Sequence, residues 1–257
     1  MKTVRIIALA IAVPLLFSCL PKKPEIPGTE TPAGPLLQVL EQQRQALTTL
    51  KAIAHVDVVR GGKKRSFDTV GIVLDGQRRL RLEVFGPMGQ SVLALVWDGK
   101  DVLLRLPDDD RIKRPGQAGI ERTIGMSIEA KDLCALFSGT ITELSSLPEA
   151  RAYCTRNSAC VIEVPLGDVV RRVKVVPASS GQGLRIVSQE LYRTDTLIYR
   201  ARYDGVEEIS NLMIPKVVIL ENPGKSVVLT IEYNEVDVNV PVAEDVFMLS
   251  DREAEAR

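Results

Sequence analysis

Leu80-Arg81-Leu82-Glu83-Val84-Phe85-Gly86-Pro87-Met88-Gly89 and, two residues on, Val92-Leu93-Ala94-Leu95-Val96-Trp97 decide the fold class. Apolar and charged residues alternate through 80–84, so a strand there has one dry face and one wet face. Both faces are apolar in 92–97, which suits a strand covered on both sides, or one with a face lining an apolar cavity. Between the two, Pro87 fixes φ and removes a backbone donor, while Gly86 and Gly89 permit a tight reversal. The stretch therefore reads as a hairpin with Met88 forced to its tip. A plain turn does not select a long apolar side chain, so Met88 reads either as folded back onto its own hairpin or as an exposed finger that touches a hydrophobic partner.

The same period of two extends outward. Strand-like runs occupy 55–60, 65–75, 78–86, 90–97 and 101–107, separated by Gly61-Gly62, Asp75-Gly76, Gly86–Gly89 and Asp98-Gly99. Such separators are hairpin signals and imply antiparallel neighbours. Runs resume at 161–165, 169–176, 184–192, 196–204, 215–222 and 226–237, with a tail to Leu249. Leu36, Leu37, Val39, Leu40, Leu47, Leu50 and Ile53 recur mostly at helical steps and predict a helix over 36–54. A second helical stretch covers 117–139, with Ser127 as a candidate N-cap and Gly139 as the stop. Residues 140–160 read as a polar loop.

The expected fold class is α+β, mainly antiparallel β. A strongly curved, open half-barrel sheet carries its helices on the concave face, because so aliphatic a sheet cannot leave both faces wet. Ile124, Met126, Leu133, Leu136 and Phe137 would form a lid over a cavity lined by Leu93, Leu95 and Trp97.

The N-terminus carries a different signal. Lys2 and Arg5 precede the apolar run Ile6–Phe17, and Leu16-Phe17-Ser18-Cys19 ends on a cysteine. The run is too short for a bilayer core of ~30 Å at ~1.5 Å per residue. It reads as a cleaved signal peptide, 1–18, and the last four residues resemble the lipobox at which Cys19 is acylated. Residues 19–34, with Pro21, Pro24, Pro27 and Pro32, read as the lipidated cysteine and an extended tether. A domain over 35–250 and a polar tail, 251–257, complete the expected organisation.

Composition excludes several functions. The chain is 45% hydrophobic but only 4% aromatic, so its core is built from Val, Leu and Ile. Lys plus Arg and Asp plus Glu both number 33, which argues against nucleic acid and against a general polybasic pull to membranes. His55 is the single histidine, so a zinc site is not expected, nor any other metal or cofactor. No Gly-x-Ser-x-Gly elbow or phosphate loop occurs, and no catalytic residue is assigned. Asp108-Asp109-Asp110 lacks the glycine and distal glutamate of a calcium loop and reads as a hairpin tip. Arg78-Arg79 and Arg171-Arg172 read as edge protection. Cys154 and Cys160 bracket a short polar stretch and are candidates for a disulfide, which sequence alone does not establish. Cys134 reads as a small buried hydrophobe.

Segments 36–60, 78–107 and 124–139 together resemble the LolB family of outer-membrane lipoproteins. The shared order is lipobox, amphipathic helix, meandering strands with a Gly-Pro-Met-Gly tip, and a lid helix ending in Leu133-x-x-Leu136-Phe137-x-Gly139. The resemblance covers about residues 36–139. It implies a non-enzymatic protein that takes acylated lipoproteins from a periplasmic LolA-like carrier and inserts them into the outer membrane. It also implies a monomer anchored on the periplasmic face by its N-terminal lipid. Phe85, Gly86, Pro87, Met88 and Gly89 would form the membrane-delivery loop, with Met88 at the position of the family's protruding leucine. Two other readings remain: a non-catalytic envelope adaptor whose interior is filled by its own side chains, and a sensor of mislocalised lipoproteins.

Overall fold

The computed structural model describes residues 27–106, 109–142, 149–179, 181 and 183–249. Cys19, the signal peptide, most of the tether and the tail beyond Leu249 lie outside the described residues. An edge strand β1 (Thr29–Pro32) leads into α1 (Gly34–Ala46). A meander follows: β2 (Thr49–Arg60), β3 (Lys63–Asp75), β4 (Arg79–Phe85), β5 (Ser91–Trp97), β6 (Val102–Leu106) and β7 (Asp109–Lys113). The chain then leaves the sheet for α2 (Gln117–Ile124) and α3 (Ala130–Ser138).

A second meander begins with β8 (Arg151–Cys154), β9 (Cys160–Leu166), β10 (Val169–Pro177), β11 (Leu184–Arg193) and β12 (Thr196–Asp204). The small hairpin β13 (Glu207–Ile209) and β14 (Leu212–Ile214) interrupts it before β15 (Val217–Asn222) and β16 (Val227–Val238). β16 pairs with β2 from Val227↔Arg60 to Val238↔Leu50, which fuses the two meanders into one 14-stranded antiparallel sheet. β1 and β7 are its edges, so the sheet curves without closing into a barrel. The expected fold class is the one observed.

Two helix boundaries differ from the sequence pattern. The helix expected over 36–54 ends at Ala46, and Leu50 and Ile53 belong to β2. Leu50, Ala52, Ala54 and Val56 alternate into the core there, and long pairing with both β3 and β16 outweighs the helical spacing. Asn239 sets the break: its amide donates to the Ala46 carbonyl, and its Oδ1 accepts from the Thr48 N–H at 2.8 Å. Thr29–Pro32, read as tether, instead pairs with β8.

The stretch 117–139 is two helices, parted by the left-handed Gly125 (φ 84°). A side chain at Gly125 would collide with the Arg60 guanidinium. α3 starts from Glu129 rather than Ser127, and it ends at Gly139 in the left-handed region.

α2 and α3 plug the concave side. Ile120, Ile124, Met126, Ile128, Leu133, Leu136 and Phe137 join Leu50, Ile72, Leu80, Leu95, Leu220 and Leu229 of the sheet in one apolar cluster. The convex face is covered as well along β4–β6. There Phe247 and Leu249 from the C-terminal segment pack on Ala94, Val96 and Leu103. β5 is therefore buried on both sides, and the face of Arg81 and Glu83, expected to be wet, lies under this strap. Arg81 Nη1 donates to the Val246 carbonyl, and Arg81 and Arg105 both pair with Glu83.

Candidate functional site

The β4–β5 turn holds its shape by backbone bonds alone at its base. Gly86 N–H donates to the Gln90 carbonyl at 2.8 Å, and Gly89 N–H to the Gly86 carbonyl at 2.9 Å. The Gln90 side chain folds back over the loop: its Oε1 accepts from the Met88 N–H at 3.1 Å. A Cβ on Gly86 would sit 2.5 Å from that amide, and Gly89 needs φ +79°. The Phe85 ring lies against Gly71 on β3. With the interior of the loop filled in this way, Met88 has only the outward direction. It is 89% exposed, and Met248 (59%) is the other exposed large hydrophobic among the described residues.

The lid residues are brought together and closely packed, none of them more than 5% exposed. Ile124, Met126, Leu133, Leu136 and Phe137 are all buried with Leu95, and Trp97 packs half-buried against them. Leu93, also half-buried, stands outside this cluster, nearer the tip. α3 is buried on nearly every side, including Asp132, Ala135 and Ser138, so it is a core helix rather than one with a wet face. Two clefts beside α1 hold about 30 Å³ each, the room of roughly one water molecule. The first lies between α1, β11 and the β13–β14 hairpin and is lined mostly by apolar side chains, with Gln43 among them.

Polar pins hold this plug in register. Arg171 on β10 donates to Asp132 Oδ1 on α3 at 2.8 Å, and both residues are about 6% exposed. Thr142 Oγ1 donates to the same oxygen at 2.6 Å, and Tyr199 stands 3.5 Å from the other. Tyr233 on β16 donates to the Phe137 carbonyl, and Gln189 on β11 to the Thr140 carbonyl, each at 2.8 Å. Burial raises the Tyr199 and Tyr233 hydroxyls above the ordinary tyrosine range, so both remain donors.

These contacts revise the reading of the arginine pairs. Arg171 is a buried partner, and Arg172 pairs with Glu163 at 2.8 Å and lies over Tyr192, on the inner strand β10. Arg79 bridges Asp75 and Glu244 and stacks on Phe247, which fastens the convex strap. Sequence carried a signal for Arg171: it shares its strand face with Val173 and Val175, both fully buried.

Cys154 and Cys160 are directly paired in register on β8 and β9 and are joined by a disulfide. Burial pushes the Cys134 thiol far above its usual range. Asp109 opens β7, paired with Leu106, while Asp108 lies outside the described residues. Among the described residues no group of three or more His, Cys, Asp or Glu could hold a metal ion, and no helix is long and apolar enough to cross a membrane.

An open, curved antiparallel sheet plugged by helices from its concave side is a LolA-like fold. No family model matches the chain, and no curated protein matches its sequence. Solved structures do match it in shape. A putative outer membrane lipoprotein-sorting protein domain from Vibrio parahaemolyticus superposes with TM-score 0.62 at 12% identity. That match covers 84% of this chain and 97% of the other. A LolA superfamily protein from Nitrosomonas europaea gives 0.55 at 13% identity, covering 83% and 97%. A DUF1329 family protein from Desulfovibrio piger gives 0.57 at 13%, covering 84% and 97%. At such identities the shared property is the fold.

Proposed function

We infer that this chain is a LolB-like lipoprotein of the outer membrane. Anchored through acylated Cys19, it accepts acylated lipoproteins from a LolA-like carrier in the periplasm and helps insert them into the membrane. The observation that carries the reading is Met88, an exposed apolar side chain on a turn built to present it. The fold supports it, since one structure of the same shape is described as a lipoprotein-sorting domain. The aliphatic interior suits acyl chains, each buried methylene contributing ~0.8 kcal/mol.

The described conformation is the closed one. An incoming chain must replace the contacts of α2 and α3 with the sheet and part Asp132 from Arg171. The tether also fits: ten residue steps separate Cys19 from Thr29, a reach of at most ~35 Å. Thr29 enters the sheet at the end opposite Met88, and the seven-residue β9 between those ends spans ~23 Å. An anchored domain can therefore set Met88 on the bilayer.

A second reading, an adaptor with a permanently filled interior, is favoured by the smallness of the clefts beside α1. Trp97, the single tryptophan, separates the two. A stearate carrying a doxyl group should quench its fluorescence saturably if chains enter beneath α3. Unchanged fluorescence over the full titration would favour the adaptor.

A further inference from the structure

The zero net charge of the chain conceals an uneven distribution along the sheet. β3 is hydrogen-bonded to β4 only from Val70 to Asp75, opposite Val84 to Arg79. Beyond that pairing β2 and β3 continue together to Arg60↔Lys63. The hairpin thus overshoots the end of β4 by six residues, ~20 Å of strand, at the same end of the sheet as Met88.

Its outer part is Arg60-Gly61-Gly62-Lys63-Lys64-Arg65, four cations with no carboxylate among them. All six residues are exposed. Arg60 lies against Gly125 at the C-terminal end of α2, where a cation is favoured. Lys64 pairs with Asp57 at 2.9 Å, and hydrogen bonds from Ser66 and then Lys64 hold that carboxyl down to about 2. Lys63 and Arg65 have no ion-pair partner among the described residues. Phe67 and Val58, partly buried against the main core, stiffen the base. The nearest carboxylates are Asp57 and the exposed Asp68, both beside His55, and Glu121 of α2 is taken by Lys225.

The opposite end of the sheet has no such run of one sign. Its turns bear Asp98, Asp101, Asp204, Glu207 and Glu208 interspersed with Arg78, Lys100, Arg156 and the Glu207-bound Lys216. A flat anionic surface would find an unbroken run of cations only at the Arg60–Arg65 finger among the turns of the described residues.

We propose that the Arg60–Arg65 finger docks on the phosphates of anionic phospholipid headgroups and so holds Met88 at the bilayer. The partner is a lipid surface rather than a protein because the finger presents short, evenly basic, solvated strand ends without a groove. The finger projects farther from the sheet than the Met88 turn, so it is the part that meets a headgroup layer first. The proposal rests on the delivery reading of Met88 for its purpose, but its physical test does not.

The test uses the full chain, anchored in vesicles through its own lipid, with a fluorophore on Lys63→Cys. Phospholipid carrying a spin label in its headgroup serves as quencher. In vesicles containing phosphatidylglycerol the label should be quenched, and high salt should reverse this. Adding Lys64→Gln and Arg65→Gln should lower the docked-to-free ratio about 25-fold, each basic residue near an anionic surface counting about fivefold. Pure phosphatidylcholine should give little quenching with either protein. Equal quenching in both lipids, quenching that survives the double substitution, or none with phosphatidylglycerol would each overturn the proposal. Quenching is read without any lipoprotein present, so it reports docking alone. Loss of lipoprotein transfer and loss of docking are therefore separate failures.

Discussion

α3 and the β4–β5 turn both carry large apolar side chains, and the two regions treat them oppositely. In α3 every residue from Asp132 to Ser138 is buried, and three strands reach in with polar groups to hold it. In the turn the interior is taken up by Gln90, and Met88 is pushed into solvent. Burying a methionine contributes ~1.5–3 kcal/mol, so leaving one outside forgoes stability that a rotated turn could have gained. Hydrophobicity is used for cohesion in one region and for contact in the other.

That contrast gives a ranking. Phe137→Ala removes a ring packed on all sides and should lower stability by ~3–5 kcal/mol in urea unfolding. A loss below ~1 kcal/mol would mean that α3 rides loosely on the sheet. Asp132→Ala strands a buried arginine and should have an effect of the same order, ~3 kcal/mol or more. Replacing both partners, Asp132→Leu with Arg171→Met, should recover most of that stability. It should also slow acyl-chain entry in the Trp97 quenching experiment, if the pair serves to keep the closed register while allowing release. Unchanged entry kinetics would make the pair purely structural. Reducing the Cys154–Cys160 bridge, which closes a short loop at one sheet margin, should lower stability by ~2 kcal/mol. Met88→Ala should shift stability by no more than ~0.5 kcal/mol.

Much of the fold was legible in the sequence because the hairpin signals are local. Gly86-Pro87-Met88-Gly89, Asp98-Gly99 and Gly61-Gly62 mark their turns with glycine and proline, whose conformational limits act within a few residues. The features that escaped are set by distant partners. The end of α1 at Ala46 depends on Asn239, nearly two hundred positions away. The dryness of Arg81 and Glu83 depends on the strap that ends at Leu249. The break at Gly125 was readable as a glycine within a helical pattern, yet Arg60 is what occupies the space a side chain would need. Whole-chain charge likewise hid the basic finger, since a sum of zero carries no information about where the cations lie.

The central claim is that Met88 is outside for a purpose, and transfer of a labelled lipoprotein into phospholipid vesicles tests it most directly. Met88→Glu should melt close to the unsubstituted chain, take up the lipoprotein from its carrier, and fail to pass it to the vesicles. A Met88→Glu protein of unchanged stability that transfers at the original rate would contradict the account and leave the tip an ordinary turn.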